Sequence, residues 1–176
     1  MVNIKKIIFL FDKITLKVGT NISWLVFFMT LIAFCVAFLR YFFNVGFVWM
    51  QELYIWMHGL VFLLGSSYAL LDDRHVRVDI FYRNLSENYK AYINLIFSII
   101  FIFPFIFIIS KYSIPYIFKS WMSLEKSREA GGLNFLFLYK TSIIIFCFLM
   151  FIQTISIILR CLLVINKKEK KIFFKF

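Results

Sequence analysis

Two histidines and a group of acidic residues near the second one have the clearest capacity for chemistry. His58 and His75 are 17 residues apart, about 25 Å along one helix, so they cannot ligate opposite faces of one haem. The acidic side chains that could join His75 at a metal are Asp72, Asp73 and Asp79. Because arginines lie among these acids, the pattern favours ion pairing at a membrane boundary over a metal site. We therefore predict no metal and no cofactor.

Enzyme motifs are missing from the sequence. It contains no GxSxG, no nucleotide-binding Walker loop and no HExxH zinc motif. The long apolar segments also hold no pair of carboxylates that could act as acid and base. The sequence therefore predicts no catalytic residue and a protein that is not an enzyme.

The composition indicates a membrane protein. Of the 176 residues, 62% are hydrophobic and 16% are charged, whereas a soluble domain has about 45–50% apolar and about 25% charged residues. The net charge of +11 sits mostly in the tails and between apolar segments, as in membrane proteins. That distribution favours contact with membrane lipid and argues against nucleic-acid binding.

Four charge-free windows, 18–39, 53–71, 91–110 and 141–159, predict transmembrane segments with approximate bounds 18–40, 50–71, 90–112 and 138–163. At 1.5 Å per residue, each is long enough to cross a hydrocarbon core of about 30 Å. Helices satisfy their own backbone hydrogen bonds in lipid, so we expect an all-α membrane protein with four transmembrane helices. The four spans should form a single membrane domain over residues 1–176. Pro104 should bend the third span.

The segment before the first span predicts an amphipathic helix lying on the membrane surface. Its apolar residues recur at helical spacing, with four lysines off that stripe. The stripe consists of Ile4, Ile7, Ile8, Phe11, Ile14 and Val18. An alternative is that this segment simply extends the first span.

The distribution of Lys and Arg predicts the orientation. With four spans, 14 of these residues fall on the side of both tails and six on the other side. The positive-inside rule then places both termini in the cytoplasm. We expect a multi-pass membrane protein.

Three short stretches resemble the small membrane subunit of tripartite ATP-independent periplasmic (TRAP) transporters, the DctQ-like family. The first is Arg40-Tyr41-Phe42-Phe43-Asn44, and the second is Trp49-Met50-Gln51-Glu52, followed by Gly65. The third and most specific stretch is His75-Val76-Arg77-Val78-Asp79. The stretches cover residues 40–79, and the four-span plan extends the resemblance over nearly the whole chain.

The resemblance implies a non-catalytic partner within a larger complex. In such systems a large permease subunit performs sodium-coupled uptake of a carboxylate, which an extracytoplasmic substrate-binding protein delivers. The small subunit braces the large one, and the resemblance places both in the bacterial inner membrane. The residues that the resemblance marks as a partner interface or structural motif are Arg40, Asn44, Trp49, Glu52, Gly65, His75, Arg77 and Asp79.

An alternative function is a small membrane anchor or assembly factor of a respiratory or secretion complex. A redox anchor would need haem ligands on facing helices, which the two histidines do not provide. A self-sufficient small exporter would be expected to carry a carboxylate within a span, and the four windows contain none.

Overall fold

A computed structural model of the protein describes residues 2–72 and 85–167, together with residues 169 and 172. The helices are α1 (Val2–Phe43), α2 (Val48–Leu71), α3 (Glu87–Phe97), α4 (Phe103–Met122) and α5 (Leu136–Ile165). A π-helical turn, Ser98–Ile102, joins α3 to α4 in one continuous element. The described ranges thus hold four helical elements long and apolar enough to cross a membrane, and no strand. The prediction of an all-α protein with four spans is confirmed.

The first helix is much longer than the predicted span. It has 42 residues and extends about 63 Å, twice the thickness of a hydrocarbon core. The segment before residue 18 is helical, as predicted, but it continues into the span without a break, as in the alternative interpretation. Gly19 is the only strong helix breaker nearby, and a glycine inside a helix costs only about 1 kcal/mol.

The face of this N-terminal segment that packs inside the bundle overlaps the predicted apolar stripe only in part. Ile8 of the stripe is fully buried, and Phe11 and Val18 pack against the core, whereas Ile4 and Ile7 are exposed. Thr15, which lies off the stripe, is also fully buried. The buried face also carries Asp12, whose carboxylate accepts hydrogen bonds from α5. Part of the apolar stripe thus remains free to face lipid, while a more polar face holds the segment to the bundle.

The third span contains a π-helical turn immediately before Pro104. A proline lacks the backbone N–H of a helical residue, and its ring clashes with the carbonyl four residues earlier. The wider π turn at Ser98–Ile102 accommodates this conflict, so the helix continues through the proline. A second proline, Pro115, also lies inside α4.

The bundle has two ends, which we name after the acidic residues found there. The Glu52 end carries the turn between α1 and α2 and the 123–135 segment, which bonds to Glu52. The Asp12 end carries the beginning of α1 and the end of α5. α2 runs antiparallel to α1, and Tyr68 near its end packs on Gly19.

α5 is the central and most buried helix of the described part. It contacts α1, α2, α3 and α4, and Tyr139 at its beginning stacks on Trp56 of α2 with ring centroids 5.0 Å apart. Most of the apolar core residues lie on it, namely Phe146, Cys147, Leu149, Met150, Ile152, Ile157, Cys161 and Val164. A helix that is apolar all round is expected at the centre of such a bundle.

Candidate functional site

The turn between α1 and α2 contains three of the predicted site residues. Arg40 lies exposed in the last turn of α1, where a cation is favoured by the partial negative charge of the helix end. Asn44 adopts a left-handed conformation with φ 54°, and the Val45 N–H donates to the Leu39 carbonyl at 3.3 Å. This arrangement ends the helix. Trp49 is exposed at the beginning of α2.

The carboxylate of Glu52 holds the segment that joins α4 to α5. The Ser127 hydroxyl donates to one carboxylate oxygen, and the Leu133 N–H donates to the other at 2.6 Å. Gly132 lies so close that a Cβ there would be 2.7 Å from Glu52 Oε2. In the described residues Glu52 therefore acts as an anchor for residues 127–133, and no ion pair links it to Arg40.

A second polar group lies beside this anchor. Lys140, in the first turns of α5, forms an ion pair with Glu125, which also accepts a hydrogen bond from the Ser120 hydroxyl at 2.7 Å. The Lys140 ammonium stands 4.0 Å from the centroid of the Tyr116 ring, close enough for a cation–π interaction. The hydrogen bond from Lys140, followed by that from Ser120, holds the pKa of the Glu125 carboxyl below its ordinary value of 4.5.

An open groove of about 490 Å³ adjoins this ion pair. The residues that line it are Leu63, Tyr116, Glu125, Arg128, Leu136, Tyr139, Lys140, Ser142 and Ile143. Except for Leu63, they lie toward the Glu52 end, in the second half of α4, the 123–135 segment and the first turns of α5.

At the other end of the bundle, four polar residues form a buried network that we call the Asp12 cluster: Asp12, Gln153, Ser156 and Arg160. Ser156 Oγ and Gln153 Nε2 donate to Asp12 Oδ1 at 2.7 and 3.3 Å. The Arg160 guanidinium pairs with Asp12 Oδ2. The side chains of Arg160 and Asp12 are only 4% and 13% exposed. The cluster therefore joins α1 to α5 through a largely desolvated ion pair.

Two further contacts extend this connection toward the C-terminus. Arg160 Nη1 donates to the Ile172 carbonyl at 3.1 Å, and Ile172 itself is buried. The Lys5 ammonium pairs with Glu169. The beginning of α1 and the described residues 169 and 172 thus lie together at the Asp12 end.

Sequence reasoning missed the Asp12 cluster, although the sequence contains a signal for it. Gln153, Ser156 and Arg160 are spaced by three and four residues and therefore share one face of an apolar helix. Asp12 is the only acidic residue in the lysine-rich segment before the first span. A polar stripe on an apolar helix and a lone acid elsewhere indicate buried pairing.

The remaining predicted residues differ in how far the structure describes them. Gly65 lies on α2, and a Cβ added there would meet nothing within 4 Å. His75, Arg77 and Asp79 lie outside the described residues. The structure brings Glu52 together with the 127–133 segment, but it does not join Glu52 to Gly65.

The polar contacts in the described ranges join helices and loops to one another. These ranges hold no group of three or more His, Cys, Asp or Glu side chains that could bind a metal. The deepest carboxylate, that of Asp12, is already neutralised by Arg160. Hydrogen-bonded ion pairs at each end of an apolar bundle fix helices relative to one another.

The four apolar helical elements, held by polar contacts at both ends, define a small integral membrane protein. The sequence profile of a family described as "Tripartite ATP-independent periplasmic transporters, DctQ component" matches residues 29–164. The chain therefore belongs to this family and is a small permease subunit of the TRAP transporter type. Comparison with curated proteins and with solved structures gave no match.

Proposed function

We propose that this chain braces a large TRAP permease subunit and does not itself carry the substrate. The large subunit performs sodium-coupled uptake of a carboxylate that an extracytoplasmic binding protein delivers. The small chain contributes a preformed helical surface against which the large subunit keeps its position in the membrane. Its own role is structural and involves no chemical step.

The observation that supports this proposal best is that polar side chains within the spans form hydrogen bonds inside the chain itself. The hydroxyls of Thr30, Ser67 and Thr154 donate to carbonyls of their own helices, at 2.8, 3.1 and 2.6 Å respectively. A carboxylate in the membrane needs cationic or N–H donors near the midplane. The central helix α5 carries no Lys or Arg between Lys140 at one end and Arg160 at the other, and both of these cations are paired with acids.

The proposed brace predicts that uptake requires both membrane chains. We expect no sodium-driven uptake in liposomes that contain the small chain alone, with or without the binding protein. Liposomes with both membrane subunits and the binding protein should accumulate the substrate. Liposomes that contain the large subunit and the binding protein but lack the small chain test whether the small chain is essential for uptake. Uptake by the small chain alone would refute the proposal and support a self-sufficient transporter.

We further propose that the Asp12 end faces the cytoplasm of a bacterium whose inner membrane holds the complex. The excess of Lys and Arg on that side of the chain supports this orientation.

This orientation predicts opposite signals from two reporter fusions. A phosphatase reporter fused after Asn166 should be inactive, because that position would lie in the cytoplasm. The same reporter inserted between Trp121 and Gly132 should be active. A fluorescent protein that folds only in the cytoplasm, placed at the same two sites, provides the reciprocal control. Two cytoplasmic signals would contradict the arrangement.

A further inference from the structure

One face of α2 is exposed at Ile55, His58 and Phe62 and half-buried at Gly65 and Ala69, and it has the spacing of a helix-packing seam. We call it the α2 seam, and its residues are Ile55, His58, Phe62, Gly65 and Ala69. These positions follow one another by three and four residues, as in helices that pack side by side at a small crossing angle. Phe62 is 73% exposed and Ile55 is 53% exposed. No other helix of the described chain covers this face at Gly65.

His58 makes the α2 seam unsuitable for contact with lipid alone. It is exposed near the middle of a 24-residue helix, and thus close to the centre of a bilayer that α2 spans. Thr30, another exposed polar residue, donates to the Val26 carbonyl of its own helix. Within the described ranges His58 makes no hydrogen bond. Acyl chains cannot bond to an imidazole, so a polar group of another protein chain is favoured.

The shape of the seam indicates a helix of a different chain. The large ring of Phe62 lies one helical turn from Gly65. Phe62 therefore forms a protrusion beside a hollow at Gly65, and a second helix can approach closely at the hollow. In a parallel pair of identical helices, like residues face each other. Phe62 would then oppose Phe62, and the two large rings would hold the helices apart beside the hollow. A different helix can place a large side chain over Gly65 and a small one beside Phe62.

We propose that the α2 seam binds a transmembrane helix of the large permease subunit. That helix presents a hydrogen-bonding side chain opposite His58 and a bulky apolar side chain over Gly65. This inference rests on the proposed function, because the proposed brace supplies the partner chain. It adds the contact surface and the chemistry that the partner helix must have.

Photo-crosslinking in intact membranes tests the contact directly. A benzophenone amino acid replaces Phe62 in the full complex, and a matched variant carries it at Phe107, an exposed position on α4. We expect an adduct with the large subunit from position 62 and none from position 107. An adduct with a second copy of this chain, or no protein adduct from position 62, would overturn the inference.

Association measurements provide a second readout. His58→Leu should lower the association constant for the large subunit in mild detergent by roughly three- to thirtyfold, the loss expected for one interhelical hydrogen bond. His58→Gln, which keeps a donor and an acceptor, should lose less. Gly65→Leu should also weaken association while leaving the isolated chain folded, because nothing lies within 4 Å of a Cβ there. Thr30→Leu is the control and should not change co-purification.

The two proposals fail in different ways. If the unmodified chain does not co-purify with the permease at all, the proposed function is wrong. If it co-purifies but His58→Leu and Gly65→Leu bind as well as the unmodified chain, only the assignment of the α2 seam is wrong.

Discussion

Replacement of Asp12 by alanine should destabilise the isolated chain by about 3–5 kcal/mol, the usual cost of removing one partner from a buried ion pair. The variant leaves the Arg160 guanidinium, whose side chain is 4% exposed, without its carboxylate. It also removes the acceptor for Ser156 and Gln153. We expect the beginning of α1 to separate from α5. The measurement is the free energy of unfolding in mixed detergent micelles during a titration with a denaturing detergent.

Two further variants separate this explanation from a general effect of losing a charge. Lys5→Ala breaks the more exposed pair with Glu169 and should cost less than about 1 kcal/mol. The double variant Asp12→Leu with Arg160→Met removes both buried charges and should recover much of the stability that Asp12→Ala loses. Equal losses for Asp12→Ala and Lys5→Ala would show that the Asp12 cluster does not hold the helices together.

The second large effect is expected from a single methyl group at Gly19. In Gly19→Ala the new Cβ would lie 2.6 to 2.7 Å from the Cβ, Cγ and Cδ2 atoms of Tyr68. Atoms so close to the backbone of α2 cannot move aside without a shift of the helix. Overpacking of this kind costs about 1–3 kcal/mol, more than the gain of about 1 kcal/mol from the higher helix propensity of alanine.

Gly65→Ala provides the matched control, because the same substitution on α2 meets nothing within 4 Å. Its effect on the isolated chain should be neutral or stabilising by up to about 1 kcal/mol. Thermal unfolding of the two purified variants in one detergent gives the comparison. If Gly19→Ala unfolds at the same or a higher temperature than Gly65→Ala, the close packing of α1 on α2 is contradicted.

The number of spans could be predicted because lipid imposes a simple requirement. Each span needs about 20 apolar residues, and a charged side chain within a span is energetically expensive. The continuity of α1 could not be decided in the same way. Residues 1–18 have both the apolar spacing of a surface helix and no proline that would separate them from the span. In the continuous helix, the side chains of Ile8, Asp12 and Thr15 lie inside the bundle. No local sequence pattern predicts such distant contacts.

The polar sites were harder to predict because they are built from distant parts of the chain. Asp12 and Arg160 are 148 residues apart, and Glu52 reaches Leu133 across 81 residues. The positive-inside rule treats Arg160 as one more basic residue at a span end, which conceals its role in a buried pair. Asn44 was recognised through a family motif. Its left-handed φ gives the physical reason, since asparagine tolerates that conformation better than most residues.

The length of α1 has a mechanical consequence. An unbroken helix is a stiff rod, and its close contact at Gly19 with Tyr68 gives it a fulcrum. About 36 Å of the rod lies between Gly19 and Phe43, and about 26 Å lies between Gly19 and Val2. Because the Asp12 cluster holds the arm from Val2 to Gly19 against α5, a tilt of the helix moves mainly the arm from Gly19 to Phe43. A change in bilayer thickness that tilts the helix is thereby transmitted as a larger displacement of the turn at Asn44.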